Sequence, residues 1–244
     1  MRIGRLRALI RLLSLQASYT YERLQGVGIA VAQEPLLEPL GKDSERARAA
    51  RARSAQYFNA HPFLAGIAVG ALSRAELDGE EGNRILRLRA ALSGPLGALG
   101  DQLFWAGIVP ALMGLALVAA AHGRGLEAVL GVVIGYNVCR ILVTGWGLRL
   151  GLTHGLGVAH EIAQSRLREI TTGAGALAAF VIGGAIPWIA LWLLQGAGQS
   201  RLFMVGLVAG SVGLGVLTRR RPLSAPALTL GAAAVTLVWR WGSP

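Results

Sequence analysis

Six polar residues gather at three interruptions of a chain that is otherwise basic or apolar. Glu22 and Gln25 stand in Tyr21-Glu22-Arg23-Leu24-Gln25, Asn59 and His61 in Tyr57-Phe58-Asn59-Ala60-His61-Pro62, and Asp101 and Gln102 in Gly94-Pro95-Leu96-Gly97-Ala98-Leu99-Gly100-Asp101-Gln102-Leu103-Phe104-Trp105. Carboxylates, amides and an imidazole are groups that exchange hydrogen bonds with a polar ligand, each contributing net about 0.5–1.5 kcal/mol. The same residues have plainer uses. Asp101, before an apolar run, is either a helix N-cap or an ionisable group kept at membrane depth for function. His61 precedes Pro62, which biases it away from helical geometry, and serves either the fold or a ligand. Glu22 and Asp101 either line a pathway or pair with Arg23 or Arg140.

Other chemistries lack their residues. Gly94, Gly97 and Gly100 form G-x-x-G-x-x-G, which is neither a dinucleotide fingerprint nor a phosphate loop, since no Lys-Ser or Lys-Thr follows. The spacing makes either a bare helix face for close packing or a tight turn that exposes backbone groups and Asp101. His122, His154 and His160 show no metal-ligand spacing, and no nucleophile elbow is present. Cys139, the only cysteine, excludes an internal disulfide and a cysteine metal cluster. The expectation is no catalytic residue, no metal and no cofactor.

The elements that must position these residues belong to a membrane protein. Of 244 residues, 53% are hydrophobic and only 15% charged. Mean hydropathy is +0.51. That is too apolar for an ordinary soluble domain. The net charge is +11, but the arginines flank apolar segments without a basic surface rich in aromatics. Anionic lipid headgroups therefore fit better than nucleic acid. The expected fold is all-α and polytopic, with amphipathic surface helices, re-entrant pieces and about four to five apolar spans.

Two parts are expected, a charged cytoplasmic or interfacial part over 1–101 and an embedded part over 102–244. Ile3, Leu6, Ile10 and Leu13 share one face of a first helix within residues 1–25, with arginines around the rest. Pro35 and Pro39 predict short pieces over 26–42. Asp43-Ser44 predicts an N-cap for a helix from Glu45 to Phe58. Residues 63–72 are apolar but too short to span, so they read as buried or re-entrant. A short basic helix over 83–92 leads into the Gly94 stretch.

Apolar runs follow at 103–121, 126–146, 173–195, 202–217 and 223–241. The second carries Asn137 and Arg140, and a buried arginine calls for a carboxylate from the N-terminal half. Arg219-Arg220-Arg221 and the basic first hundred residues point to the cytoplasm. Prolines within or beside the runs predict broken backbone, which survives at membrane depth only against protein or a water-filled cavity.

The three pieces, in this order and spacing, resemble the IID component of the mannose/fructose/sorbose class of the bacterial sugar phosphotransferase system. Its YERMQ-like, FFNTHP-like and GPLAGIGDS-like elements match residues 21–25, 57–62 and 94–102. Asn137-Val138-Cys139-Arg140 resembles its N-x-x-R, followed by Gly147-Leu148-Arg149-Leu150-Gly151. The resemblance covers residues 10–155, and the rest only by hydropathy. It implies an inner-membrane subunit, without a phosphorylated residue of its own, that joins a IIC subunit in a hetero-oligomer. Soluble IIA and IIB proteins would phosphorylate the incoming hexose-type sugar. Glu22, Gln25, Asn59, His61, Asp101 and Gln102 would line or brace the pathway, with Gly94, Pro95, Gly97, Gly100, Asn137 and Arg140 shaping it. Gln102 stands where the family usually has Ser, and Val109 precedes Pro110 where Arg-Pro is common. These departures keep open a regulatory or scaffold protein descended from such a subunit. An unrelated membrane enzyme would need a catalytic constellation that the sequence does not show.

Overall fold

The computed structural model describes residues 2–41 and 44–195, with side chains over 3–41 and 44–185. The runs expected at 202–217 and 223–241, and the arginines at 219–221, lie outside these residues. The chain divides into units 1–186 and 187–244, and the first is described here. The described helices are α1 (Arg2–Leu13), α2 (Gly26–Leu37), α3 (Glu45–Ser54), α4 (Ala65–Asp78), α5 (Gly82–Leu103), α6 (Val109–Ala121), α7 (Gly125–His154), α8 (Val158–Gln164) and α9 (Leu167–Gln195), the last running past the boundary at 186.

The core is built around α4. Ala65 to Ser73 are all buried, so this helix presents no free face along its first turns. Its closest neighbour is α7, and glycines on both sides make the approach possible. A β-carbon on Gly66 would stand 2.6 Å from the Thr144 carbonyl oxygen, and one on Gly151 2.5 Å from the Ala71 nitrogen. Gly70 and Gly147 face backbone and Ile67 in the same seam. Two small-x-x-x-small pairs, Gly66/Gly70 and Gly147/Gly151, therefore bring the helix backbones together as in membrane bundles. The expectation of a buried piece over 63–72 holds.

Pro35 does not break the chain. It sits inside α2, buried. A proline leaves the carbonyl four residues earlier without its helical donor, and Arg11 supplies one: its guanidinium donates to the Val31 oxygen at 2.9 Å. The short pieces expected over 26–42 are thus one helix as far as Leu37. α3 starts as expected, with the Ser44 hydroxyl accepting the Ala47 N–H at 3.1 Å. It ends at Ser54 rather than Phe58.

On α1, Ala8 and Leu12 face the core, whereas Ile3, Leu6 and Ile10 are 76%, 59% and 59% exposed. The apolar stripe expected there points away from the protein. Two further stretches, Gly82–Ala121 and Gly125–Gln164, are long and apolar enough to cross a membrane. Leu126, Val129, Leu130, Val133, Ile134 and Val138 are exposed along α7, a surface that suits lipid or a partner helix better than water.

Candidate functional site

The first interruption folds as a tight turn. Leu24 N–H donates to the Thr20 oxygen at 2.8 Å and Thr20 N–H to the Leu24 oxygen at 3.2 Å. Leu24 adopts φ +46° to close it, and Tyr21 is fully exposed at the tip. The second interruption runs alongside. Gln25 N–H donates to the Phe58 oxygen at 2.9 Å, and Phe58 N–H to the Arg23 oxygen at 3.3 Å.

Gln25 fastens the two together from inside. Its side chain has no exposure. Its Nε2 donates to the Ala60 oxygen at 2.5 Å and to the Tyr19 hydroxyl at 2.7 Å. Its Oε1 accepts the Ala60 N–H at 3.2 Å. Both backbone groups of Ala60 are thereby held by one amide, so the neighbours Asn59 and His61 are fixed in place.

Two residues of α5 hold the same loop from the other side. Arg89, buried at 5% exposure, donates to the carbonyls of Ser54 at 2.9 Å, Tyr57 at 3.1 Å and Gln56. Its guanidinium also lies 5.3 Å from the centre of the Phe58 ring. The Ser93 hydroxyl accepts the Asn59 N–H at 3.3 Å and donates to the Asn59 carbonyl.

His61 packs flat on Phe104, with centroids 5.0 Å apart and planes at 12°, and edge-on to Phe63 at 5.0 Å. Its Nδ1 accepts the Phe63 N–H at 3.3 Å, which leaves the proton on Nε2. That nitrogen is buried and has no hydrogen-bond partner among the described residues. Burial lowers the imidazole pKa to about 4, against the pull of the nearby Asp101 charge, so the ring is neutral near pH 7.

The third interruption is helix, not a turn. Residues 94 to 103 continue α5, so Asp101 lies near the end of that helix and does not cap its start. The three glycines differ in use. Gly100 faces His61, where a β-carbon would stand 2.9 Å from Nδ1 and overlap the nearer Cβ and Cγ. Gly97 has the Ala60 Cα at 3.9 Å, and Gly94 faces open space. A π-helical turn, Phe104–Ile108, follows, with Val109 N–H reaching back to the Phe104 oxygen. It shifts the helical register beside Phe104 and Trp105, and such turns are frequent at functional sites.

Together these pieces surround an open cleft of about 600 Å³, lined by Tyr19, Tyr57, Asn59, His61, Asp101 and Trp105, with Gly94 and Gly97 in its floor. Asn59, Asp101 and Trp105 are exposed and His61 is 2% exposed. An amide, a carboxylate and aromatic faces around one cavity can bind a ligand that carries both hydroxyl groups and C–H faces.

The structure separates the other candidates. Gln25 braces the cleft from behind. Glu22 is exposed on the Tyr21 turn, and Gln102 and Pro95 are exposed on α5; none of the three is in the lining. Asn137 donates to the Val133 oxygen of its own helix at 2.9 Å. Arg140 meets no carboxylate among the described residues, contrary to expectation. It donates to the Leu13 carbonyl and lies 5.1 Å from the centre of the Phe63 ring. A carbonyl dipole and a ring face thus stand in for the anion.

Arg89, Ser93, Tyr19 and Trp105 add to what the sequence singled out. Arg89 left a signal: it falls within the stripe Ile85, Leu88, Leu92 and Leu96, and all five are buried on one face of α5.

Known proteins show the same arrangement of elements. The chain is 31% identical over 173 residues to the sorbose-specific EIID component of Lacticaseibacillus casei, covering 69% of this chain and 61% of that protein. It is 28% identical over 177 residues to the fructose permease IID component of Bacillus subtilis, covering 70% and 64%. Against the mannose-specific EIID component of Escherichia coli K12 the identity is also 28%, covering 70% and 62%. The chain thus spans about three fifths of the length of these relatives. Among solved structures, one described as a membrane protein superposes with TM-score 0.67 at 20% identity, over 91% of this chain and 98% of that one. The mannose transporter ManYZ in complex with microcin E492 superposes with TM-score 0.59 at 20% identity, over 99% and 97%. The fold is that of these membrane proteins. The family described as the PTS system mannose/fructose/sorbose family IID component matches residues 4–193, a range that holds all three interruptions and the Gly147–Gly151 seam, and the chain belongs to that family.

Proposed function

We propose that this chain is the IID-type membrane subunit of a sugar permease, forming with a IIC-type subunit the pathway for a hexose-type sugar that IIA and IIB proteins phosphorylate. The cleft carries this reading. It brings Asn59, His61 and Asp101 from two distant interruptions to one cavity and surrounds them with Tyr19, Tyr57 and Trp105. Polar groups that point inward from a membrane subunit mark substrate pathways by default. Relatives named for sorbose, fructose and mannose support a hexose-type ligand. The exposed apolar sides of α6, α7 and α9 offer surface for a IIC partner and for lipid. The exposed stripe Ile3, Leu6 and Ile10, with Arg5 and Arg7 beside it, suits an α1 that lies on the cytoplasmic face of the inner membrane. The charged part over 1–101 would then be cytoplasmic or interfacial and the remainder embedded.

Labelled-sugar uptake tests the reading, in cells without their own mannose-class transporter. The chain is co-expressed with its neighbouring IIC, IIA and IIB candidates, and each is left out in turn. Uptake that requires this chain, with the sugar recovered as its phosphate, is the expected result. A complex that assembles but takes up no sugar would replace it with a regulatory subunit.

A further inference from the structure

A second cavity shares Leu103, Leu167 and Val143 with the apolar cluster around Phe63 and Phe104. This groove, of about 420 Å³, is walled by Leu103 of α5, Leu142, Val143 and Trp146 of α7, and Leu167 and Ile170 of α9. Its walls are apolar throughout, and only Ser165 and Arg166, at the bend between α8 and α9, give it a polar mouth.

The charge pattern places this groove at the boundary between lipid and water. On α5 the last charge before the apolar run is Asp101, two residues before Leu103. On α7 the first charge beyond the run is Arg149, three residues after Trp146. On α9 the last charge is Glu169, next to Ile170. Three helices thus change from charged to apolar at the level of one cavity. Trp146, 39% exposed, suits the headgroup level. The water end is cationic. Arg166 lines the mouth, and Arg149 and Arg168, three residues beyond Trp146 and next to Leu167 in the chain, are exposed, against Glu169, which pairs with Arg166 at 3.2 Å. Glu161, on α8, is engaged with His154 at 3.6 Å. The balance is three guanidiniums to two carboxylates, Asp101 and Glu169, a net excess of positive charge at the positive end of the α9 dipole.

We propose that this groove binds one anionic phospholipid. An acyl chain lies along Leu103, Leu142, Val143 and Trp146, and the phosphate sits at the Ser165–Arg166 mouth within the field of Arg149 and Arg168. A neutral lipid would fill the walls equally but gain nothing from the arginines. A helix of a partner subunit would cover the walls but would bring a carboxylate, rather than a phosphate, to the mouth. The proposal rests on the membrane placement of the chain and not on sugar transport.

Native mass spectrometry of the purified full chain, with whichever subunits co-purify, tests it after exchange into mixed micelles of phosphatidylglycerol or phosphatidylcholine. Phosphatidylglycerol should be retained over phosphatidylcholine. Arg166→Gln and Arg168→Gln should each lower its retention roughly fivefold, as expected for loss of one cation near an anionic lipid, and leave phosphatidylcholine unchanged. Arg166→Lys with Arg168→Lys keeps the charge and should keep the retention, which guards against a loss caused by misfolding. Val143→Trp fills the groove and should abolish retention of both lipids. Equal retention of the two lipids by the unmodified protein would overturn the proposal. So would phosphatidylglycerol retention untouched by Val143→Trp, or a crosslink from a cysteine placed at Leu142 to a partner helix. Retention is read on purified protein, so its failure is separate from a failure of sugar uptake.

Discussion

Gly100 on α5 lies against the His61 ring so closely that a β-carbon would stand 2.9 Å from Nδ1 and collide with the carbons beside it. The imidazole holds its place between Phe104 and Phe63 only because position 100 has no side chain. Gly100→Ala must push His61 into the cleft or move α5. We expect it to destabilise the protein by about 1–3 kcal/mol and to lower sugar uptake at least tenfold. Thermal melting and uptake, measured on the same preparation, check both.

The neutral state of His61 makes stability depend on pH. The unfolded chain protonates a histidine near pH 6.5, whereas His61 in the folded chain does so only near pH 4. Between these values the unfolded state holds more protons, so stability rises with pH across the window and is lost as pH falls through it. The melting temperature should therefore fall from pH 6.5 toward pH 4 more steeply in the unmodified protein than in His61→Gln. Parallel curves for the two would remove His61 from this role.

Gln25 tests the brace. Gln25→Leu leaves both backbone groups of Ala60 buried without partners. Stability should drop by about 1–3 kcal/mol per unsatisfied group. Asn59 and His61 should become more open to hydrogen exchange, while α4, held by α7, stays protected.

Asp101 is exposed at the cleft and makes no salt bridge among the described residues. Asp101→Asn should leave assembly with IIC intact and abolish uptake. Co-purification and labelled-sugar uptake separate the two effects. Normal uptake by this variant would remove Asp101 from the pathway.

Arg89 holds three carbonyls with one planar fork. Lysine cannot reproduce that geometry. We expect Arg89→Lys to weaken sugar affinity several-fold through a loosened Tyr57–Asn59 loop, with smaller change in the maximal rate. A fall in maximal rate alone, at unchanged half-saturating sugar, would argue against a positioning role.

The chemistry-bearing residues were legible because each interruption breaks a pattern: polar side chains between amphipathic and apolar stretches. Their facing one another was not, since nothing local to Asn59 encodes the place of Asp101. Pro35 misleads for the same reason. Read alone it ends a helix, but Arg11, remote in sequence, satisfies the carbonyl that it frees. Arg140 suggests a carboxylate, yet finds the Leu13 carbonyl and the Phe63 ring. Arg89 could have been found, because a charge in the middle of the stripe 85, 88, 92 and 96 signals a buried task. The Gly147-Leu148-Arg149-Leu150-Gly151 stretch was visible as a motif. Its use appeared only with Gly66 and Gly70 on the opposite helix.

That glycine seam has a consequence for biogenesis. α4 is fourteen residues long, too short to be threaded across a bilayer during synthesis, and the face that α7 covers is made of Gly66 and Gly70. When the ribosome has delivered the cleft residues, the helix meant to close over α4 has yet to emerge. The first half of the chain must therefore wait, incompletely folded, until Gly147 and Gly151 arrive. A nascent chain stalled before Gly147 should be open to protease at α4, and one released after Gly151 closed.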